Sequence, residues 1–190
     1  MKFISLCLLS LFLLACSENN SDPVIEDNNL TSEDQAQSID QASDISNTKL
    51  ETVKFVKTTD NSEIKFPKEA LEGTDAEKEF LATGKNIYVG DAEAIKMGKK
   101  RYNLWSCTQC HGPTAKGQVG PGLTGPKYNY AKDTTNKGMF ETIWAGTNGG
   151  MGGKGYGIMA EDDGLTVDEL LKIIAFVRSH GKDLTGNEGL

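Results

Sequence analysis

Cys107-Thr108-Gln109-Cys110-His111 decides how the rest of this 190-residue chain is read. Two thiols three positions apart can add to the two vinyl groups of one haem, and the residue after them supplies an imidazole to the iron. The two intervening residues make the turn that brings both sulfurs and the ring to one porphyrin. A thioredoxin-type pair needs a strand-helix context and a Trp directly before the first Cys; Trp105 stands one residue too early. A zinc site needs four ligands, and adjacent Cys110 and His111 do not easily reach one tetrahedral metal together with Cys107 and His180. The motif occurs once, so one covalent haem c is expected.

The N-terminus has the form of an export signal. Lys2 precedes an apolar run from Phe3 to Leu14, too short to span a bilayer. Leu13-Leu14-Ala15-Cys16 resembles the lipobox of bacterial lipoproteins, which implies cleavage before Cys16 and lipid on its thiol. Ser17 in place of Asp implies sorting to the outer membrane of a Gram-negative cell, facing the periplasm. Cys7 leaves with the signal, so no thiol remains for a disulfide.

From Ser17 to Thr52 the chain holds nine Asp or Glu against one Lys, with no aromatic residue and no Gly. Such a segment lacks the apolar surface to offset its ordering entropy, and reads as an acidic tether reaching roughly 30–40 Å as a flexible coil. The expected organisation is therefore a signal peptide over 1–15, a lipidated disordered tether over 16–52, an irregular extension over 53–91 and a haem domain over 92–190. A net charge of −7 without a basic groove argues against nucleic acid as a partner.

Within the domain, Ala92–Trp105 reads as a helix entering the haem motif, with Ile95, Met97, Gly98, Tyr102 and Trp105 at apolar or small positions. Thr166-Val167-Asp168-Glu169 is a capping box before Leu170, Leu171, Ile174, Phe176 and Val177, with His180 in the last turn and Gly181 as a stop. A shorter helix is expected over Lys137–Ala145. Met97 and Met139 are expected in the core, and His180 at a helix C-terminus where the dipole favours its charge. Between the last two helices lies a loop with Gly at 146, 149, 150, 152, 153, 155 and 157, so that backbone can lie close to a flat porphyrin. Met151 within it is the expected distal iron ligand, with Met159 as the alternative and His180 a remote third.

These features resemble the class I cytochromes c. The resemblance implies an all-α fold with first and last helices crossing around one haem, Gly98, Tyr102 and Phe176 forming the crossing. Gly120-Pro121-Gly122-Leu123 matches that family's Gly-Pro-X-Leu loop, which implies that the Pro121 carbonyl orients His111. From Phe66 to His180, Phe80-Leu81-Ala82-Thr83-Gly84-Lys85-Asn86, Gly98-Lys99-Lys100-Arg101-Tyr102, Gly117-Gln118-Val119, Met139-Phe140-Glu141-Thr142-Ile143 and Ala175-Phe176-Val177-Arg178 resemble cytochrome c-L. That resemblance implies electrons received from a periplasmic PQQ-dependent methanol or alcohol dehydrogenase, passage to a downstream cytochrome or oxidase, and calcium near the haem. Some family members place a His three residues after the loop Met; here Lys154 stands there.

A six-coordinate His/Met iron has no open position, so an electron carrier rather than an enzyme is expected. The alternatives are a generic lipoprotein cytochrome serving an oxidase or other reductase, and a five-coordinate sensor or enzyme. Cys16→Ala is expected to release the protein from membranes with its haem spectrum unchanged. Membrane fractionation with absorption spectroscopy checks this, and an unchanged membrane-bound fraction refutes the lipobox reading.

Overall fold

The computed structural model describes residues 53–182 and 185–188, all within the compact unit Thr48–Leu190. The signal, Cys16 and the acidic tether lie outside the described residues. Among the described residues five helices follow in order: α1 (Asp75–Thr83), α2 (Ala92–Leu104), α3 (Cys107–His111), α4 (Asn136–Ala145) and α5 (Val167–Ser179), with 3-10 turns at Lys68–Ala70 and Ala131–Thr134. Among the described residues β-structure is limited to isolated bridges. No helix among them is long and apolar enough to cross a membrane.

The all-α expectation holds, and so does the crossing. α2 starts at Asp91, whose carboxylate accepts the Ala94 N–H at 2.7 Å. α5 starts with the expected capping box between Thr166 and Glu169. A Cβ on Gly98 would sit 1.9 Å from the Lys172 carbonyl oxygen, so the two helices cross with backbone against backbone. One turn on, the Tyr102 and Phe176 rings pack with centroids 5.1 Å apart. The Tyr102 hydroxyl donates to the Gly112 carbonyl at 2.9 Å, joining the crossing to the turn that follows α3. α5 buries Leu170, Leu171, Ile173, Ile174, Ala175, Phe176 and Val177, apolar nearly all round as a central helix should be.

The region before α2 holds more structure than its sequence led one to expect. α1 is capped by Thr74, which accepts the Glu77 N–H at 3.2 Å. Glu77 then turns back to the Glu72 and Gly73 N–H groups, one residue short of the usual capping-box partner. Phe55, Phe66 and Phe80 pack on Phe140 and Trp144 of α4, with centroid separations of 4.8–5.9 Å. Asp168 in the first turn of α5 accepts from Thr74 Oγ1 at 2.8 Å, from the Tyr88 hydroxyl at 2.6 Å and from Lys172. Burial alone would raise the Asp168 carboxyl, but these three donors override it and hold it below the usual carboxylate range.

The C-terminal segment closes the same core. The Asn187 side-chain oxygen accepts from the Asn86 N–H at 2.9 Å and from Asn136 Nδ2 at 2.7 Å, and the Asn136 N–H donates to the Gly186 carbonyl at 2.6 Å. Met97, expected in the core, is instead 44% exposed, because the face of α2 turned to α5 is that of Gly98 and Tyr102. α5 ends on His180 rather than on a left-handed glycine.

Gly98→Ala is expected to lower stability by at least ~1–3 kcal/mol, because the atom met is rigid backbone. The neighbouring exposed Lys99→Ala should stay within about 0.5 kcal/mol. Denaturant unfolding of both variants compares the two.

Candidate haem site

α3 is short and set by its ends. Ser106 precedes it in the left-handed conformation at φ +57°, and Gly112 leaves it at φ +75°. Cys107 is half-buried, Cys110 is exposed, and neither forms a disulfide. Burial is the main force on the Cys107 thiol; with Cys110 nearby it pushes the group up to about 11, although Lys154 opposes the shift. A thiol held this way is a poor free thiolate at neutral pH, which does not suit a thiolate redox couple.

His111 is 8% exposed. Its Nδ1 lies 2.8 Å from the Pro121 carbonyl oxygen, so the N–H is on Nδ1 and the Nε2 lone pair is free for a metal. The loop is held to α3 through its backbone: the Gly117 N–H donates to the His111 carbonyl at 2.9 Å and the Gly120 N–H to the Cys110 carbonyl at 2.7 Å. A Cβ on Gly120 would lie 3.2 Å from His111 Cε1, a tight contact that glycine avoids where the loop passes the ring.

Three cavities of about 470, 110 and 40 Å³ are each lined by both His111 and Met151. The largest is also bounded by Cys107, Cys110, Gly120 and Gly149–Gly152, the smallest by Tyr102, Leu123 and Met139. Both thiols, the imidazole and the Met151 thioether therefore border one cavity, the largest of the three, together with the backbone of Gly149, Gly150 and Gly152. These residues fit a covalently attached, axially ligated haem.

The Gly-rich loop divides into two parts. Gly149, Gly150 and Gly152 line the large cavity. Gly146, Gly153 and Gly155 serve packing within the protein: a Cβ on Gly155 would fall 2.3 Å from the Trp144 ring, and one on Gly146, at φ +79°, would fall 2.6 Å from the Met151 carbonyl oxygen. The Lys154 and Gly155 N–H groups bond to the carbonyls of Ile143 and Trp144 at 2.9–3.1 Å, tying the loop to the end of α4.

Met159, the alternative ligand, is 67% exposed and lines none of the three cavities; its sulfur lies 3.7 Å from Lys154 Nζ. His180 lines a separate cavity with Lys116 and Lys182 and packs edge-on against Phe176. Burial, then Lys116 and Lys99, hold its pKa below the ordinary histidine value, so these effects oppose the charge expected at a helix C-terminus. Among the described residues, no group of three or more His, Cys, Asp or Glu is arranged to hold a metal ion. The calcium implied by resemblance thus has no cluster of that kind there.

Sequence reasoning missed the polar wall of the cleft. Arg178 is 5% exposed and donates to Asn136 Oδ1, the Tyr128 hydroxyl and the main-chain carbonyls of Asp133 and Thr134. Burial lowers its pKa. Tyr128 and Asp133 in turn line the cavity of about 110 Å³. Nothing in the spacing of these residues links them, since they meet only through the docking of α5 on the 3-10 turn before α4.

Residues 95–181 match the family model described as Cytochrome c. The chain belongs to the class I c-type cytochromes. Haem c, covalently bound, is that family's cofactor. The cytochrome is 40% identical over 111 residues to cytochrome c-L of Methylorubrum extorquens, a match covering 58% of this chain and 52% of that protein. It thus spans about half the length of the curated relative it matches. Two solved structures are also similar. Cytochrome cL of Methylophaga aminisulfidivorans is 39% identical with a TM-score of 0.58, over 67% of this chain and 80% of that one. Cytochrome cL of Hyphomicrobium denitrificans is 38% identical with a TM-score of 0.60, over 70% and 76% respectively.

Proposed function

We propose that this cytochrome is a one-electron carrier of the cytochrome c-L type. It accepts electrons from a PQQ-dependent methanol or alcohol dehydrogenase and passes them to a downstream cytochrome or oxidase. In this reading Cys107 and Cys110 hold the haem covalently, His111 is the proximal ligand, Pro121 orients it and Met151 is the distal ligand. Cys16 carries lipid that anchors the protein to the periplasmic face of the outer membrane.

The observation that carries the reading is the pairing of His111, its Nδ1 committed to Pro121, with Met151 on the walls of the same three cavities. Bound there, haem c supplies a one-electron couple whose potential thioether ligation raises, as suits acceptance from a reduced quinone cofactor. The chain's own part is to hold the ligands in place. The Pro121 carbonyl fixes the imidazole, while the bonds from Lys154 and Gly155 to α4 fix the loop that bears Met151. Val119, 85% exposed, lines the mouth of the large cavity beside Lys154, where a partner would meet the haem edge.

Met151→Ala is expected to abolish the weak red absorption band of the iron–thioether bond, lower the potential and let carbon monoxide bind the ferrous form quickly. Met159→Ala should leave the band intact. Visible spectroscopy and a redox titration of both variants decide between the two methionines, and the reverse pattern moves the assignment to Met159.

The partner is tested by stopped-flow reduction over a salt series. A PQQ dehydrogenase from the same organism, given its alcohol, is expected to reduce this protein faster than it reduces a horse-type mitochondrial cytochrome at equal concentration. Any electrostatic part of that advantage fades as salt shortens the Debye length towards about 10 Å at 0.1 M. Equal rates for the two acceptors defeat the partner assignment.

A further inference from the structure

A cationic hollow lies apart from the haem site, where the end of α5 meets the loop that follows α3. A cavity of about 280 Å³ opens there between Lys116, residues 124–126 and residues 180–182. It shares no lining residue with the three cavities that His111 and Met151 border. A water molecule takes about 30 Å³ of liquid volume, so the space has room for an oxyanion with waters around it.

The charge of this cavity is one-sided. Lys116 and Lys182 line it with His180, and among the described residues no Asp or Glu does. From residue 53 onward the chain carries eighteen Lys or Arg and eighteen Asp or Glu, so the cluster is a local segregation and not part of a general basic excess. Among the described residues none of Lys99, Lys116 and Lys182 forms an ion pair within 4.0 Å. Asp183, next to Lys182 in sequence, lies outside the described residues. After burial, Lys116 and Lys99 of α2 are the charges that hold the His180 pKa below its ordinary value. The backbone beneath these side chains is fixed. Ala115 is fully buried at φ +57°, and its carbonyl accepts the Leu123 N–H at 2.7 Å, so Lys116 leaves a rigid turn. A Cβ on Gly181 would lie 3.0 Å from the Thr124 carbonyl oxygen, which sets how closely the end of α5 approaches the loop. A helix C-terminus attracts cations through its carbonyls, but those of α5 already have donors. The Ser179 hydroxyl takes Phe176 at 2.7 Å, the His180 N–H takes Val177 at 3.1 Å and the Gly181 N–H takes Arg178 at 3.0 Å.

We propose that this cavity binds a phosphate-class oxyanion between Lys116 and Lys182, with the His180 imidazolium donating a hydrogen bond to it. Lys99 adds charge from α2. Several cationic groups around one concave site suit a compact dianion with oxygens on every side, because charge-assisted hydrogen bonds are the strong ones. The anion offsets the repulsion that the lysines exert on the imidazolium, so binding raises the His180 pKa. Free phosphate and the phosphate of an anionic lipid share this chemistry. The site does not depend on the electron-carrier role.

The test follows the His180 imidazole by NMR in the reduced full-length holoprotein. The chain has two histidines, and the signal that His180→Gln removes is that of His180. Inorganic phosphate is expected to move this signal saturably and to raise its pKa, whereas chloride at equal ionic strength does neither. Lys116→Gln and Lys182→Gln should each weaken phosphate binding about two- to fivefold, the loss expected for one exposed ion pair. Lys65→Gln, exposed and outside the cavity, should leave it unchanged. A second arm separates the two sources of phosphate. Cys16→Ala holoprotein, which has no thiol there for lipid, is sedimented with vesicles of phosphatidylglycerol or of phosphatidylcholine. Binding to phosphatidylglycerol alone that falls in Lys116→Gln assigns the site to a lipid phosphate; otherwise the phosphate is free. Equal responses to phosphate and chloride, or phosphate affinity unchanged in both lysine variants, overturn the site.

Discussion

The close passage of α2 over α5 at Gly98 is the contact on which the rest of the architecture hangs. Backbone meets backbone there, so the two helix axes come as near as helices can, and the side chains one turn along are forced into register. Tyr102 and Phe176 pack as a result, and the Tyr102 hydroxyl is brought to the carbonyl of Gly112 at the exit of α3. The Tyr102 side chain thus adds a link from the helix crossing to the exit of the haem motif, beside the backbone bonds through Trp105 and Ser106 that join α2 to α3.

The extension is as much a part of this core as the helices that follow it. Three of its phenylalanines lie on α4, directly behind the segment that supports the Met151 loop. Asp168 does double duty, with one carboxylate serving the start of α5 and the hydroxyls of Thr74 and Tyr88. It is a fully buried acid whose pKa stays low because both carboxyl oxygens find donors. Asp133 is the contrast: similar burial, a single donor and a carboxyl pushed the other way.

Much of this was legible in the sequence, and the boundary of legibility is physical. The order and ends of α2, α4 and α5 followed from periodicity and caps, because those are local; the bounds Ala92–Leu104, Asn136–Ala145 and Val167–Ser179 differ from the expected ones by a residue or two. The Gly98 crossing and the Pro121 contact to His111 were anticipated through family resemblance and are present. α1 went unread although Thr74-Asp75-Ala76-Glu77 has the form of a capping box, because its apolar content is too low for a clear stripe. The exposure of Met97 depends on which face of α2 meets α5, and the surroundings of His180 depend on Lys99 and Lys116, which are remote in sequence. The Gly-rich loop was read as a lining for a flat cofactor. Three of its seven glycines, Gly146, Gly153 and Gly155, instead make room for Trp144 and for neighbouring backbone, a demand set by the protein rather than by the ligand.

The clasp made by residues 185–188 bears on the order in which this molecule can be assembled. Asn187 ties the segment before α2 to the start of α4, so the link between the two sides of the core is made by residues that follow α5. A ribosome delivers the polypeptide N-terminus first, and α5, which packs against α2, is the last helix among the described residues. Cys107 and Cys110 therefore leave the ribosome well before α5 and the clasp can close over their surroundings. That delay leaves the two thiols open to covalent chemistry before the tertiary structure restricts access to them.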